Sequence, residues 1–286
     1  MKTLSIIMPT YNRPDTIKQV LESLDNQTVP RKDYEVIVVD DGSNYDVKNY
    51  IKKFNVKYFK QNNSGPSKAR NLGVKEATGK YIAFIGDDTI LNKNWVEEHL
   101  KTHEEKGPNI AVLGFTPWHK KLAVNKFMKY LAPNGPQFNY SAIKNINNCG
   151  FDFFWTSNLS LERKWFTKNK FDEDFPWAAY EDLELSYRLH KKGLRIVYNK
   201  NAVVNHYHEY NPEKYFKKQD TMAKSAIIFY KKHPELKRFL IDNNKITPTQ
   251  LVLRNVLSIM PKFGFMQILF WKLQRRYYFT KALKSL

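Results

Sequence analysis

The run Tyr81–Ile85 constrains the fold more than any other stretch, because its five apolar residues end, one glycine later, in the adjacent carboxylates Asp87 and Asp88. An uninterrupted apolar run of this length is typical of a central strand in a parallel sheet. Open α/β sheets bind ligands at the carboxyl ends of such strands. Two carboxylates fixed there repel each other, so the pair indicates either a divalent cation that also holds a diphosphate or a solvated Asp-Asp turn.

The rest of the chain predicts an alternation of strands, polar loops and helices. Strands are predicted at residues 4–8, 34–39, 56–59, 110–115 and 194–198. Helices are predicted at residues 15–25, 45–54, 67–77 and 95–106, and in a segment of about three turns that begins near Glu181 and stops at Gly193. This alternation predicts an α/β fold with a doubly wound, mostly parallel sheet, whose loops bring polar groups to one edge.

The composition restricts the partners and the compartment. Lys and Arg number 47 against 28 Asp and Glu, a net charge of +19, which favours an anionic partner such as nucleotide phosphates, an acidic polymer, nucleic acid or lipid headgroups. Nucleic acid is the least favoured of these, because no helix-turn-helix, zinc-finger or RNA-binding aromatic signature is present. Cys149 is the single cysteine, which excludes an intrachain disulfide and predicts a reducing, cytoplasmic compartment.

The N-terminus and the hydropathy pattern argue against a membrane span. Pro9 interrupts the first apolar run, and no small-residue cleavage site follows, so this run predicts a strand and not a signal peptide. Nowhere does the sequence reach the roughly 18 uncharged apolar residues that a spanning helix needs.

Four motifs, in order, resemble those of glycosyltransferase family 2, the inverting transferases with a GT-A fold. They are Pro9-Thr10-Tyr11-Asn12-Arg13, Val38-Val39-Asp40-Asp41-Gly42-Ser43, the segment from Gly65 to Gly73, and Asp87-Asp88. The resemblance covers about the first three quarters of the chain. It implies a GT-A catalytic domain at residues 1–211, with a Rossmann-like nucleotide-sugar-binding half at 1–108 and an acceptor-binding half at 109–211, followed by a helical extension at 212–286.

The resemblance also implies an activity. It is that of a hexosyltransferase that moves a sugar from a nucleotide sugar to a hydroxyl of a glycan, polymer or lipid-linked acceptor. A UDP-sugar is the default donor, and dTDP- and GDP-sugars remain open. The alternative is a GT-A module that binds nucleotide or glycan without chemistry, which Gly86 and the short acidic motif favour; the presence of Asp88, Asp182 and His206 argues against it.

The predicted donor site combines residue chemistry with the resemblance. Thr10 and Tyr11 can frame a base, and a carboxylate at the end of the second strand can accept its imide N–H or a ribose hydroxyl. The resemblance favours Asp41 for this, whereas an Asp-Gly turn with Ser43 as a helix cap is the alternative. Basic residues in the first turns of a helix favour a bound anion, or else form a solvated face. The predicted nucleotide-sugar site comprises Pro9, Thr10, Tyr11, Arg13, Asp41, Lys68, Arg70, Asp87 and Asn158, the last bonding either the donor sugar or the backbone.

The resemblance implies that Asp88 is the metal ligand and that Asp87 faces the ribose or a metal-bound water. Hard oxygen ligands together with diphosphate favour Mn²⁺ or Mg²⁺. Many relatives carry three or four acidic residues here, whereas this chain has Gly86 before the pair and Thr89 after it, so metal binding without nucleotide is expected to be weaker. A histidine after an apolar run completes the predicted shell, and His206 is favoured over His208 because it leaves the strand first.

The predicted catalytic base is Asp182, in the first turn of the helix that begins at Glu181. The N-terminus of a helix stabilises an ionised carboxylate, which can then accept a proton, and the resemblance assigns the base to this position. A capping carboxylate that pairs with Arg188 or another basic group is the alternative. Glu181 is the fallback base, and Trp177 offers a platform for a sugar ring, so both are predicted on the acceptor side.

The last part of the chain is basic and aromatic. Residues 246–286 contain no Asp or Glu, and their cations are Arg254, Lys262, Lys272, Arg275, Arg276, Lys281 and Lys284, interleaved with aromatic residues. This composition is typical of an interfacial helix on an anionic membrane, and it predicts peripheral attachment at the inner face of the cell membrane. The alternative is a helical pair that packs on the catalytic domain or on another subunit of an oligomer.

Overall fold

The computed structural model describes residues 2–261 and 263–285, so Lys262 of the predicted basic segment lies outside the described residues. The chain divides into two compact units. The first comprises residues up to 125 together with 131–209, and the second comprises 126–130 together with 210–286. The compact units divide between residues 209 and 210, with the short segment 126–130 in the second unit, and the domains predicted at 1–211 and 212–286 stay a prediction.

The first unit is built on one sheet of eight strands in the order β3-β2-β1-β4-β7-β6-β8-β5. The strands are β1 (Leu4–Thr10), β2 (Tyr34–Asp40), β3 (Lys57–Lys60), β4 (Tyr81–Ile85), β5 (Thr89–Leu91), β6 (Ile110–Phe115), β7 (Asn158–Glu162) and β8 (Arg195–His206). Strands β3, β2, β1 and β4 pair in parallel, as do β6 and β8. Strand β7 runs antiparallel between β4 and β6, and β5 runs antiparallel to β8.

This mixed α/β architecture confirms the predicted fold class. The parallel half is the doubly wound part, and the strand β7 reverses the direction beyond β4. Residues of β1 alternate between two apolar clusters on opposite faces of the sheet: Ile6 and Met8 pack in one, and Ile7 packs in the other. Both faces are therefore covered, as the apolar run Tyr81–Ile85 indicated, and polar groups are left to the strand ends.

Helices of the first unit agree with the sequence pattern at most positions. They are α1 (Pro14–Asp25), α2 (Val47–Tyr50), α3 (Pro66–Glu76), α4 (Trp95–Lys106), the segment α5 (Lys126–Leu131), most of which groups with the second unit, and α6 (Glu181–His190). The prediction of a helix over residues 45–54 is wrong in length, because the chain leaves α2 at Ile51 and turns bring Ile51 and Phe54 into the core.

Strand β8 is longer than the sequence pattern predicted, since it continues through Asn199–Asn201 to His206. Its pairing with β6 shifts register between Gly114 and Phe115. A Cβ atom on Gly114 would lie 2.2 Å from the carbonyl oxygen of Ala202, so only glycine allows this approach. The extra length carries His206 to the edge of the sheet where β4 ends.

The second unit is helical. Its helices are α7 (Pro212–Lys217), α8 (Gln219–Lys232), α9 (Lys237–Leu240), α10 (Pro248–Ile259) and α11 (Gly264–Lys284). Helix α10 begins at a capping box, in which Thr247 and Gln250 bond each other's backbone. Helix α11 packs against α8 and buries Trp271, Leu273 and Phe279. Within the described residues, every helix is too short or too polar to cross a bilayer.

Candidate active site

The loop that follows β1 is tied to the loop that follows β2. The backbone N–H of Asn12 donates to Ser43 Oγ at 2.9 Å, and the N–H of Asn44 donates to Asn12 Oδ1 at 2.9 Å. Asn12 turns the chain with a φ of 53°, and α1 begins directly afterwards at Pro14, whose fixed φ suits the first helical position. Two of the predicted donor motifs therefore lie side by side.

Two predicted donor residues at the end of β1 differ in accessibility. Pro9 lies within β1 opposite Val39 and is half-buried. Tyr11 is 49% exposed, so its ring is accessible for stacking on a base.

Asp87 lies directly beyond β4 and is held by two threonines. Thr10 Oγ1 donates to Asp87 Oδ2 at 2.8 Å, and Thr16 Oγ1 donates to the Asp87 carbonyl at 2.7 Å. Burial, and then the neighbouring charge of Asp88, raise the pKa of Asp87 to about 7. The end of β1 and the start of α1 thus fix this carboxylate, and Asp88 carries the stronger negative charge of the pair.

Asp88 is surrounded by cationic and imidazole groups. Its Oδ2 lies 3.4 Å from Nε2 of His206 and 3.7 Å from Nη2 of Arg13, whose Nη1 lies 2.9 Å from Nδ1 of His208. Burial by itself would raise the pKa of Asp88, but His206, then Arg13 and His208, outweigh it and hold this pKa well below its usual range. Asp88 is therefore ionised throughout the neutral pH range.

The antiparallel pairing of β5 with β8 brings His206 to Asp88. Thr89 and His206 are direct partners in this pairing, and the N–H of Tyr207 donates to the Asp88 carbonyl at 2.7 Å. The ring of Trp118 stacks on that of His206, with centroids 5.2 Å apart and planes within 9°. The structure thus places His206 against Asp88 and His208 against Arg13, and the preference for His206 as a metal ligand stays a prediction.

The atoms around Asp88 fit a divalent cation that is shared with a ligand. A carboxylate oxygen and an imidazole nitrogen 3.4 Å apart are suitable donors for Mn²⁺, but no third His, Cys, Asp or Glu completes a cluster within residues 2–261 and 263–285. Donor phosphates and water would have to fill the remaining positions. Gly86 makes room for this carboxylate, because a Cβ there would lie 2.9 Å from Asp88 Oδ1.

Asp41, the predicted base-binding carboxylate, organises the loop that precedes α3. Its Oδ1 accepts from Gln61 Nε2 at 2.7 Å and from the Ser64 N–H at 2.9 Å, and its Oδ2 accepts from the Gly65 N–H at 2.9 Å. The carboxylate is 7% exposed. The structure therefore gives Asp41 a structural role, and contact with a base stays a prediction.

Asp40, the other carboxylate at the end of β2, is fully buried. It accepts from the Ser43 N–H at 2.8 Å and from the Tyr58 hydroxyl at 2.9 Å. Gly42 makes the predicted Asp-Gly turn with a φ of 84°, but the cap of α2 is Asp46 and not Ser43. Ser43 instead accepts from the β1 loop, as described above.

The loop that precedes α3 meets the loop that precedes α6. A Cβ on Gly65 would lie 2.5 Å from the carbonyl oxygen of Pro176, so the two backbones are in contact. The Asn71 side chain binds both the N–H and the carbonyl of Phe171 at 2.9 Å. Trp177, the predicted acceptor platform, follows this contact and is half-buried. Segments predicted for donor and acceptor are thereby brought together.

The predicted donor residue Arg70 forms an ion pair that the sequence did not indicate. Its Nη1 lies 2.8 Å from Oε1 of Glu181, and the two side chains are only 12% and 4% exposed. The guanidinium also lies 5.4 Å from the centre of the Phe171 ring. The Glu181 carboxylate is thus buried against a cation, and its role as fallback base stays a prediction. Lys68, by contrast, is exposed.

Asp182 lies beside this ion pair at the start of α6. Its Oδ1 accepts from the Leu183 N–H at 2.8 Å, and the backbone N and the Oγ1 of Thr156 each lie 3.5 Å from its Oδ2. Burial, and then the charge of Glu181, raise the pKa of Asp182 to about 7, against the opposing effect of Arg70. A carboxylate with this pKa accepts a proton near neutral pH and can release it again.

Two expectations for Asp182 are corrected. The helix N-terminus does not by itself keep the group ionised, because desolvation is larger than the stabilisation by the backbone. A pairing of Asp182 with Arg188 is absent from the described contacts, since Arg188 binds Glu184 one turn away at 2.7 Å. Arg188 is thus not the partner of Asp182 among the described contacts, whereas the charge of Arg70 does act on Asp182, and the catalytic role of Asp182 stays a prediction.

Asn158, predicted to bond the donor sugar or the backbone, lies in the core and is 0% exposed. Its Oδ1 accepts from Trp95 Nε1 at 2.8 Å and lies 3.2 Å from His99 Nε2. Its Nδ2 donates to the carbonyls of Phe115 and Ala202 at 3.1 and 2.9 Å. The backbone alternative is therefore the one the structure shows, and contact with a sugar would require this core to open.

Sequence reasoning missed several groups at the site. Thr16 and Trp118 support Asp87 and His206, but a threonine in a helix and a tryptophan in a loop have no distinguishing pattern. Gly65 has a φ of 89° before Pro66, a combination that could have indicated a turn under close contact.

The first unit has a GT-A fold. Three features define it: the parallel strands β3, β2, β1 and β4, the antiparallel strand β7 beside β4, and the Asp-Asp pair that follows β4. The family model described as glycosyl transferase family 2 matches residues 5–183, and the chain belongs to this family. Its relatives with named activities are glycosyltransferases.

Similar proteins support the family and the fold. Validoxylamine A glucosyltransferase from Streptomyces hygroscopicus subsp. jinggangensis is 29% identical over 227 residues, which cover 70% of this chain and 54% of that relative. The chain thus spans about half the length of this curated relative.

Two solved structures share the fold. S. aureus TarS 1–349 in complex with UDP-GlcNAc has a TM-score of 0.58 at 19% identity, covering 100% of this chain and 91% of that chain. The mannosyltransferase PcManGT from Pyrobaculum calidifontis, in complex with GDP-Man and Mn²⁺, has a TM-score of 0.67 at 15% identity, covering 99% and 86%.

Proposed function

We propose that the protein is an inverting glycosyltransferase that moves a sugar from a nucleoside diphosphate sugar to a hydroxyl of a glycan, polymer or lipid-linked acceptor. The observation that carries this proposal is the position of Asp88 at the carboxyl edge of the sheet, 3.4 Å from His206 and 3.7 Å from Arg13. A purely structural turn does not need a histidine and an arginine beside its carboxylate, whereas a site for a cation and a diphosphate needs groups of this kind.

The donor is assigned to the loops that follow β1, β2 and β4. Tyr11 offers its exposed ring to the base, Asp41 fixes the adjoining loop, and Asp87 faces the ribose. Asp88 and His206 are the residues that would hold Mn²⁺ or Mg²⁺. When bound, the ion neutralises charge that develops on the leaving diphosphate. Arg13 holds Asp88 and His208 in place beside it.

Asp182 is assigned as the base. Inverting transfer needs a group that removes the proton of the acceptor hydroxyl while the diphosphate leaves from the opposite face of the sugar. A pKa of about 7 suits this task, because the carboxylate is ionised in half of the molecules at that pH and has the driving force to take a proton. The buried pair Arg70–Glu181 positions the helix turn that carries Asp182.

A UDP-sugar is the preferred donor. Support comes from the family and from the UDP-GlcNAc complex of the structural neighbour TarS. The GDP-Man complex of a second neighbour keeps guanosine donors under consideration. Peripheral attachment to the inner face of an anionic membrane belongs to the proposal, because residues 246–286 are cationic without an acidic residue.

Thermal unfolding with a panel of nucleotides tests the donor assignment. A ligand that binds the folded state stabilises it by mass action, so UDP or a UDP-sugar with Mn²⁺ should raise Tm more than GDP, dTDP or Mn²⁺ alone. Release of UDP from the same sugar, measured with and without acceptor candidates, then separates an enzyme from a binding module. If no nucleotide changes Tm in the presence of either ion, the proposal is wrong.

A further inference from the structure

The second unit carries exposed apolar side chains near the turn between α10 and α11. Ile259, Phe263 and Phe265 are the most exposed, at 86%, 77% and 74%. The full set of exposed apolar residues in this stretch, which we call the hairpin tip, is Val252, Leu253, Val256, Ile259, Met260, Phe263, Phe265 and Ile268. A concentration of this kind on a protein surface marks an interaction site.

The spacing of these residues shows why α10 cannot bury them. Val252, Val256 and Ile259 recur at intervals of four and three residues and share one face of the helix, whereas Leu257 lies on another face and is 4% exposed. Helix α10 thus has an inner contact with α11 and a separate apolar face on the outside.

Several other aromatic residues of this segment pack inside the second unit and are not available for insertion. Trp271 lies edge-on to Phe127 with centroids 5.0 Å apart, and Tyr278 stacks on Phe216 at 5.9 Å. Phe279 is 2% exposed. These side chains belong to the core of the second unit, so the strongly exposed apolar residues of this segment are those of the hairpin tip.

Charge identifies the partner. Residues 246–286 hold seven Lys and Arg and no Asp or Glu, and Lys272 and Lys281 are exposed. A second copy of the same surface would bring cations together without a countercharge. An anionic bilayer supplies both an apolar interior for the tip and negative headgroups for the cations, and it requires no spanning helix.

We propose that the hairpin tip inserts into the headgroup and acyl boundary of an anionic bilayer, and that the net positive charge of residues 246–286 attracts the protein to the anionic surface. This inference rests on the peripheral attachment in the proposed function and not on catalysis. It differs from a helix lying along the membrane, because α11 is held by α8 and only its first turns reach the lipid.

Removal of residues 246–286 is a poor test, because it would take Trp271, Leu273 and Phe279 out of the core of the second unit. Point substitutions in the full chain avoid this. The test variant carries Ile259→Ser, Phe263→Ser and Phe265→Ser, all at exposed positions. The control is Ile146→Ser in the first unit, which is 56% exposed. A second variant, Lys272→Gln with Lys281→Gln, reduces the charge alone.

Binding is measured by co-sedimentation with vesicles of phosphatidylcholine, with and without phosphatidylglycerol. The wild type and Ile146→Ser should bind only the anionic vesicles, and less as salt is raised. The triple variant should bind about tenfold more weakly for each side chain that inserts, and the lysine variant should lose part of the salt dependence. UDP-dependent Tm is recorded on every variant, so loss of lipid binding with an unchanged nucleotide response refers to the tip alone.

A dye that reports polarity gives an independent measurement. It is attached at Phe263→Cys in a Cys149→Ser background, with Ile146→Cys as the matched control site. Emission should shift to shorter wavelength on anionic vesicles only at position 263. The inference is overturned if the wild type ignores anionic vesicles at low salt, or if the triple variant binds them as tightly as the wild type. It is also overturned if the tip instead drives dimerisation that the triple variant abolishes, with no vesicle binding in either.

Discussion

Nε2 of His206 lies 3.4 Å from Oδ2 of Asp88, although the two residues are far apart in the sequence. The pairing of β5 with β8 sets this distance, and the stacked ring of Trp118 holds the imidazole in place. The two side chains form the part of the candidate site with the most distinct electrostatic character, because the surrounding cations keep Asp88 ionised.

The first prediction concerns these two groups. Asp88→Asn should remove the dependence of UDP binding on Mn²⁺, because the amide lacks the negative charge, and His206→Ala should weaken Mn²⁺ binding about tenfold or more, because alanine has no donor atom. His208→Ala is the matched control and should have a smaller effect. The measurement is calorimetric titration of Mn²⁺ in the presence of UDP. A larger effect at His208 than at His206 would reverse the assignment.

The second prediction concerns the base. Asp182→Asn should lower the transfer rate by about 10²–10⁴-fold, because the amide cannot accept the proton of the acceptor hydroxyl. UDP and metal affinity should remain nearly unchanged, since the group acts on the acceptor. Asp174→Asn in the exposed loop before α6 is the control. An active Asp182→Asn enzyme would remove the residue from catalysis.

The pKa of Asp182 also leads us to expect a particular pH dependence of the wild-type enzyme. Asp182 has a raised pKa of about 7 and must be ionised to act, so the transfer rate at subsaturating acceptor should fall as pH decreases through about 7. A rate that stays constant down to pH values near the ordinary carboxylate range would mean that another group limits the reaction.

The third prediction separates two roles of Arg70. Arg70→Met leaves the Glu181 carboxylate buried without its cation and should destabilise the protein by about 3–5 kcal/mol, whereas Arg70→Met with Glu181→Met should recover much of this loss. Urea unfolding measures both. If the double variant is stable yet no longer binds UDP, then Arg70 also contacts the donor, as the family resemblance implied.

The fourth prediction concerns a buried histidine pair. His103 stacks on Tyr81 at 4.2 Å and its Nε2 lies 2.9 Å from Ser160 Oγ, which also contacts His99. Burial lowers the pKa of His99 to about 4, and burial together with the charges of His99 and Lys80 lowers that of His103 to about 3. In both cases the unfolded chain binds a proton at a higher pH than the folded one does.

This pair therefore destabilises the protein as pH falls below about 6.5, the ordinary pKa of histidine. Asp87 and Asp182 act in the opposite direction, because their raised pKa values make the folded state bind protons first. Because these effects oppose each other, the pH dependence of the free energy of unfolding of the wild type does not isolate the histidines. The variant His103→Phe is therefore compared with the wild type. Its free energy of unfolding relative to the wild type should rise by about 1.4 kcal/mol per unit as pH falls below 6. A constant difference between the two proteins would contradict the burial of an uncharged His103.

The local sequence determined most elements of the parallel half of the first unit and the order of its motifs, but not β5 or β7. The run Tyr81–Ile85 is a buried strand that ends in the predicted carboxylates, and the pattern from Glu181 to Gly193 is a helix with its predicted start and stop. These features are readable because apolar periodicity and the Pro and Gly signals depend on neighbouring residues only.

The tertiary structure alone decided which distant groups meet. Asn158 was predicted in the nucleotide-sugar site. However, β7 pairs antiparallel with both β4 and β6, and this position places Asn158 in the core. Arg70 and Glu181 have the pattern of ligand-facing charges, yet the packing of their loops pairs them with each other. Strand register and loop contacts depend on residues far apart in the chain, and a pattern read along the sequence carries no record of those distances.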